Sequence, residues 1–165
     1  MIALKKDINF QKHILISGKS ESERHLFLNE MLNHSDIEAI FFPKSMKQFS
    51  EYIDTVQSKN LFQPHYVTKG KYNSNQILDF HLDWIAENNC LFVWEEFQYM
   101  KTPWKLEILR LMINNLEANH QSATKIIITT DDSIELITDL NHIVNKTDYK
   151  TKEQVVESNF QIIDL

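Results

Sequence analysis

The sequence predicts an α/β domain, a three-layer sandwich built on a mainly parallel central sheet. Two observations carry that reading. Cys90–Trp94 and the Ile126–Ile128 centre of Lys125–Thr130 are apolar runs without polar alternation, which suits strands buried on both faces of a sheet. Between the strand candidates lie segments of helical period joined by short connections, the alternation expected of parallel-sheet proteins.

The elements follow in order. His13–Ser17 reads as a strand ended by Gly18. Ser20 and Glu23 form a capping-box pair, in which a hydroxyl and a carboxylate three residues apart satisfy free amides at a helix start. The helix should run to about Asn33 with Leu26, Phe27, Met31 and Leu32 inward. Ile37–Phe42 is a strand closed by Pro43, and Ser45–Ser58 a helix with Met46, Phe49, Ile53 and Val56 on one side. Residues 60–73 read as loop, with a short strand around Tyr66 and Val67, and Ser74–Asn88 as a helix. After the Cys90–Trp94 strand, Pro103 opens another helix, where its missing N–H costs nothing. Lys125–Thr130 is the next strand. Asp132 and Glu135 cap a short helix to about Leu140, and His142–Val144 with Gln154–Asp164 read as two strands or one hairpin.

Composition sets the functional bounds. At 165 residues, 42% hydrophobic and 24% charged, the chain is expected to be one soluble domain over 1–165 with a real core. No apolar run approaches the roughly 18–20 residues that span a bilayer. The amino end lacks a long apolar signal segment. One cysteine, Cys90, excludes a disulfide framework and a multi-cysteine zinc site, so a reducing cytoplasm is the expected compartment. The seven histidines show neither H-x-x-x-H nor H-E-x-x-H spacing, which argues against zinc. A net charge of −6 disfavours a general nucleic-acid surface. Only two glycines occur, Gly18 and Gly70, so few loops can bring backbone close to a ligand.

Two places carry candidate chemistry. The strand Cys90–Trp94 ends in two acids, Glu95 and Glu96, and ligands of open α/β sheets bind outside the carboxyl ends of strands. The strand, turn and helix around Gly18 could be a phosphate-binding loop, whose pattern is G-x-x-x-x-G-K-[ST]. With Gly18 first, Glu23 stands at the second glycine, Arg24 at the lysine and His25 at the hydroxyl. Reading Gly18-Lys19-Ser20 as the motif's end would need a glycine at His13 and would consume the strand. Arg24 keeps the charge as a planar fork. His25 is a poor ligand for magnesium. A Glu23 carboxylate about 4–5 Å from a phosphate would cost about 3–4 kcal/mol at an effective dielectric near 20.

The segment Phe92-Val-Trp-Glu-Glu-Phe-Gln-Tyr-Met100 resembles the hydrophobic-Asp-Glu-Phe-Gln-Tyr-Leu motif of the archaeal-type, ORC-like P-loop ATPases of the AAA+/STAND group. The resemblance extends over roughly residues 10–140 and implies a P-loop NTPase-like fold that would use ATP and magnesium. It implies Glu95 as the metal ligand and Glu96 as the water-activating base. Gly18, Lys19, Ser20, Ser22, Arg24 and His25 would face the nucleotide, and Thr130 would be the polar sensor at the end of its strand. The altered first motif and the lack of a helical lid or winged helix lead to one expectation. The domain is a degenerate, non-hydrolysing binding or assembly module with weak or no ATP binding, and its partner is another protein. Alternatives are a magnesium-dependent ATPase in which Lys19 or Arg24 replaces the lost lysine, and a regulatory subunit of a nucleic-acid-associated complex.

Overall fold

The computed structural model describes residues 7–44, 51, 54–55, 88–100, 124–144 and 160–165. The readings over 60–87 and the helix opened by Pro103 lie outside these residues. Of the Ser45–Ser58 helix, positions 51, 54 and 55 are described, and all three are helical.

Five strands form one sheet: β1 (His13–Ser17), β2 (Glu38–Phe41), β3 (Cys90–Trp94), β4 (Lys125–Thr130) and β5 (Phe160–Asp164). Their order is β2-β3-β4-β1-β5, and every pairing is parallel. The register aligns Ile14 with Ile127 and Ile127 with Val93. Strand side chains alternate between faces. Ile14, Ile16, Leu91, Val93, Ile127 and Ile163 therefore share one face, and they form a core cluster with Phe27, Leu28 and Met31 of the first helix. Leu15, Phe92, Trp94, Ile126 and Ile128 point the other way and are equally buried. Both faces are covered, as the unbroken apolar runs required.

Helix α1 (Glu21–Asn33) contains no β-branched residue and starts at Ser20, whose hydroxyl accepts the Glu23 N–H at 3.3 Å. Glu21 and Glu23 complement the positive end of the helix dipole. Its buried stripe is Arg24, Phe27, Leu28 and Met31, spaced i, i+3, i+4, i+7. Leu26, expected inward, is out of phase with that stripe and is exposed.

The carboxyl-terminal third corrects two further expectations. Asp132 does cap the next helix, accepting the N–H groups of Ile134 at 2.8 Å and Glu135 at 3.1 Å. That helix, α2 (Ser133–Val144), continues through His142–Val144 instead of breaking into a strand. No proline or glycine interrupts it there, so nothing stops the helical ladder. The last strand is β5, which lies parallel to β1 and so is not half of a hairpin.

Gly18 is fixed by packing. A Cβ at this position would stand 3.0 Å from the Leu165 Cβ, because the Leu165 N–H donates to the Ser17 carbonyl at 2.9 Å and draws the chain across the turn.

Candidate functional site

The carboxyl ends of β1, β3 and β4 meet the first turns of α1. Arg24 lies on the inward stripe of that helix, one turn before Phe27 and Leu28, so its guanidinium is carried towards the end of β3. There it meets Glu96. Arg24 Nε donates to Glu96 Oε1 at 3.0 Å, and Nη2 donates to Oε2 to complete a two-point pair. Nη1 turns back and donates to the Gly18 carbonyl. Arg24 and Glu96 are 2% and 1% exposed, so this ion pair is buried.

Glu96 is held from two more directions. The Thr129 hydroxyl accepts the Glu96 N–H at 2.8 Å and donates to Glu96 Oε1 at 3.2 Å. Gln98 Nε2 donates to Oε2 at 2.6 Å. Burial alone would raise the Glu96 carboxyl, but the hydrogen bonds from Arg24, Gln98 and Thr129 outweigh it and hold the group below the usual carboxylate range. The hydrogen bond to Glu96 in turn pushes the Arg24 guanidinium further up.

The backbone at Glu96 is left-handed, with φ 54° and ψ 54°. For a residue with a Cβ this costs roughly 1–2 kcal/mol. The conformation turns the chain sharply out of β3 into a short 3₁₀ turn, Phe97–Tyr99, closed by Tyr99 N–H to the Glu96 carbonyl at 2.9 Å. Phe97 then packs back on Trp94, with ring centroids 5.9 Å apart.

A second link lies beside the first, nearer solvent. His25 Nδ1 and Glu95 Oε2 are 2.7 Å apart. The Asn29 amide lies 2.9 Å from His25 Nε2. With the amide N–H donating, Nε2 accepts and Nδ1 carries the proton given to Glu95. Residues 24 and 25 of α1 thus engage residues 96 and 95 after β3.

The remaining expected site residues lie around the β1–α1 turn and the end of β4. Lys19 and Ser22 are exposed, Ser20 serves as the helix cap, and Thr130 is a buried member of the β4 ladder opposite Ser17. The sequence reading passed over Thr129 in favour of Thr130. The signal was available in the two-residue strand period, because Thr129 shares the face of Ile127, which packs with α1. It also passed over Gln98 as a ligand of Glu96, and over Asp164, which accepts from the Ser17 hydroxyl and, at 3.3 Å, from that of Ser133.

As placed, these residues do not fit a magnesium nucleotide. Only Gly18, Lys19 and Ser20 separate β1 from α1, leaving little backbone to wrap phosphates. The Arg24 guanidinium is spent on Gly18 and Glu96, and both acids are engaged by α1.

Comparison with solved structures gives the class of fold. The chain is similar to Cdc6p from Pyrobaculum aerophilum, with a TM-score of 0.56 and 11% identity over 93% of this chain and 39% of that one. It is also similar to a chain in the structure of Drosophila ORC bound to AT-rich DNA and Cdc6, with a TM-score of 0.54 and 14% identity over 93% of this chain and 48% of that one. The α/β domain therefore has the P-loop NTPase fold. The chain spans less than half the length of either neighbour, and identities this low show the fold alone. No protein-family model matches the sequence, and no curated protein does.

Proposed function

We propose that this chain is a P-loop NTPase-like module that binds ATP weakly or not at all, does not hydrolyse it, and serves in binding or assembly with another protein. The observation that supports this most directly is the pairing of Arg24 with Glu96. These are the positions at which the resemblance would put the phosphate-binding cation and the water-activating base, and here each neutralises the other. Glu95, at the metal-ligand position, accepts a hydrogen bond from the His25 imidazole. A base whose two oxygens already accept from arginine, glutamine and threonine has no lone pair aimed at a water.

Among the described residues, no helix is long and apolar enough to cross a membrane. The net charge of −6 favours a protein partner over direct contact with nucleic acid. The Drosophila neighbour comes from an assembly of ORC, AT-rich DNA and Cdc6. That supports a second reading, in which this chain is a protein-contacting subunit of a nucleic-acid-associated complex.

The test is a thermal melt with and without millimolar Mg·ATP or Mg·GTP. No shift is expected with either. Binding at about 100 times the dissociation constant would add about 2.7 kcal/mol, several degrees for a domain of this size, and such a shift would overturn the reading.

A further inference from the structure

We infer that the outer edge of β5 is a docking site for an extended segment of a partner protein, apolar along its length and basic at one end. The inference rests on the reading above of a module that binds another protein, and it names the surface and the partner's chemistry. Among the described residues β5 pairs with β1 alone and stands at one edge of the sheet. The Leu165 N–H donates to the Ser17 carbonyl, and Ser17 is in register with Asp164. Successive residues of a strand turn their N–H and C=O to opposite sides, so Ile163 and Leu165 face β1. Phe160, Ile162 and Asp164 present theirs outward, a row that an added strand can pair.

This edge is open and held in shape. Phe160-Gln-Ile-Ile-Asp164 carries neither proline nor lysine, the usual guards of an unpaired strand. At the opposite edge, β2 starts with the exposed Glu38 and is followed by Pro43. Side-chain alternation puts Gln161 and Asp164 on opposite faces of β5, and each is fastened. Gln161 Oε1 accepts the Asn9 N–H at 2.8 Å and Nε2 donates to the Asp7 carbonyl at 2.8 Å, bracing one face with residues 7–9. Asp164 accepts from the Ser17 and Ser133 hydroxyls on the other. A strand already held in its paired shape loses less entropy on docking.

The side chains around the edge select the occupant. Ile162 and Leu165 lie on either side of Asp164 and are 36% and 42% exposed, and Ile134, next to Ser133, is 74% exposed. Asp131, Asp132, Glu135 and Asp164 are exposed at the same end of the sheet, and Lys19, beside Gly18, offsets one of these four charges. The excess is negative, so the matching segment is apolar with arginine or lysine where it passes Asp164. A second copy of β5 has no basic residue to meet these acids, and a phosphate backbone is repelled by them.

The test is fluorescence-anisotropy titration of the full chain with a labelled synthetic peptide, three arginines followed by alternating valine and threonine. Saturable binding is expected. Exchanging the arginines for glutamates should weaken it by about tenfold, through several lost ion pairs. N-methylation of the peptide's backbone amides should weaken it by about tenfold or more, through lost main-chain hydrogen bonds. Ile162→Pro removes an outward N–H while sparing the β1 ladder, a placement that edge strands tolerate, and should abolish binding. If that variant does not fold, the N-methylated peptide decides. No saturable binding, equal binding of the glutamate or N-methylated peptide, or unchanged binding in folded Ile162→Pro overturns the docking edge. So does a wild-type dimer in sedimentation equilibrium that Ile162→Pro dissociates, since a second copy then fills the edge. A melt shifted by Mg·ATP with peptide binding intact sinks the nucleotide-independent reading alone. An unshifted melt without peptide binding sinks the docking edge alone.

Discussion

Arg24 and Glu96 are 72 residues apart in the chain and share a buried, two-point ion pair that ties the first turn of α1 to the end of β3. Removing either partner leaves the other as an unpaired buried charge. Arg24→Met or Glu96→Leu alone should therefore cost about 3–5 kcal/mol, while the apolar pair Arg24→Met/Glu96→Leu should cost far less than the sum. Urea unfolding of the four proteins gives the coupling. Additive losses would mean that the pair is not a unit.

Thr129 makes two contacts that its neighbour Thr130 does not. Thr129→Val strips the acceptor from the Glu96 N–H and a donor from Oε1, and should cost about 1–3 kcal/mol. Thr129→Ser should recover most of it. Thr130→Val should stay within about 0.5 kcal/mol. Equal losses at 129 and 130 would place the strand-end hydroxyl chemistry wrongly.

His13 supplies an acid-sensitive element at the other end of the sheet. Its Nδ1 accepts the Ile126 N–H at 2.8 Å, its ring lies 5.0 Å from that of Phe160, and the half-buried Lys125 lies near. Burial, helped by the Lys125 charge, lowers its pKa to about 3. Between that value and about 6.5, the unfolded chain binds a proton that the folded chain refuses. Stability is then fully present above about pH 6.5 and falls as the solution is acidified towards pH 3. At pH 5 the loss is about 2 kcal/mol, from 1.36 kcal/mol per pH unit. His13→Asn keeps an acceptor near the Nδ1 position without the titration, so its melting temperature should change little from pH 7 to 5. That window stays above the range where protonation of Glu96, whose folded pKa is lowered, adds its own loss. Parallel acid slopes in the two proteins would contradict the assignment.

Gly18→Ala should destabilise by about 1 kcal/mol, because the new methyl must displace Leu165 by a few tenths of an ångström. Gly18→Ala/Leu165→Gly should restore most of the loss. If the double variant is no better than the single, the glycine answers to something other than this contact.

Much of the fold was legible because both-face burial leaves a plain mark. The apolar runs at 13–17, 90–94 and 125–130 became β1, β3 and β4 almost to the residue. The caps at Ser20 and Asp132 were equally readable, since a short polar side chain before a helix has a local task. The site was legible in part. Glu95 and Glu96 stood out as acids ending a strand, but their partners on α1 came from a different segment, and the motif pattern cast Arg24 and His25 as ligands for phosphate and metal. Helical phase could have shown more. Arg24 is in step with Phe27, Leu28 and Met31, and a charge on an inward stripe calls for a buried counter-charge. The left-handed turn at Glu96 had no such signal, because glutamate is not a residue that advertises positive φ.

The sheet order also has a kinetic side. β1 lies between β4 and β5, and its links to them, His13 with Ile126 and Ser17 with Asp164, close loops of 113 and 147 residues. Both β1 edges must wait for partners from far down the chain, the long-range pairing that makes parallel sheets slow to form. Until they arrive, Ile14–Ile16 is an apolar strand with two open sides, the kind of transient surface on which chaperones and aggregates compete.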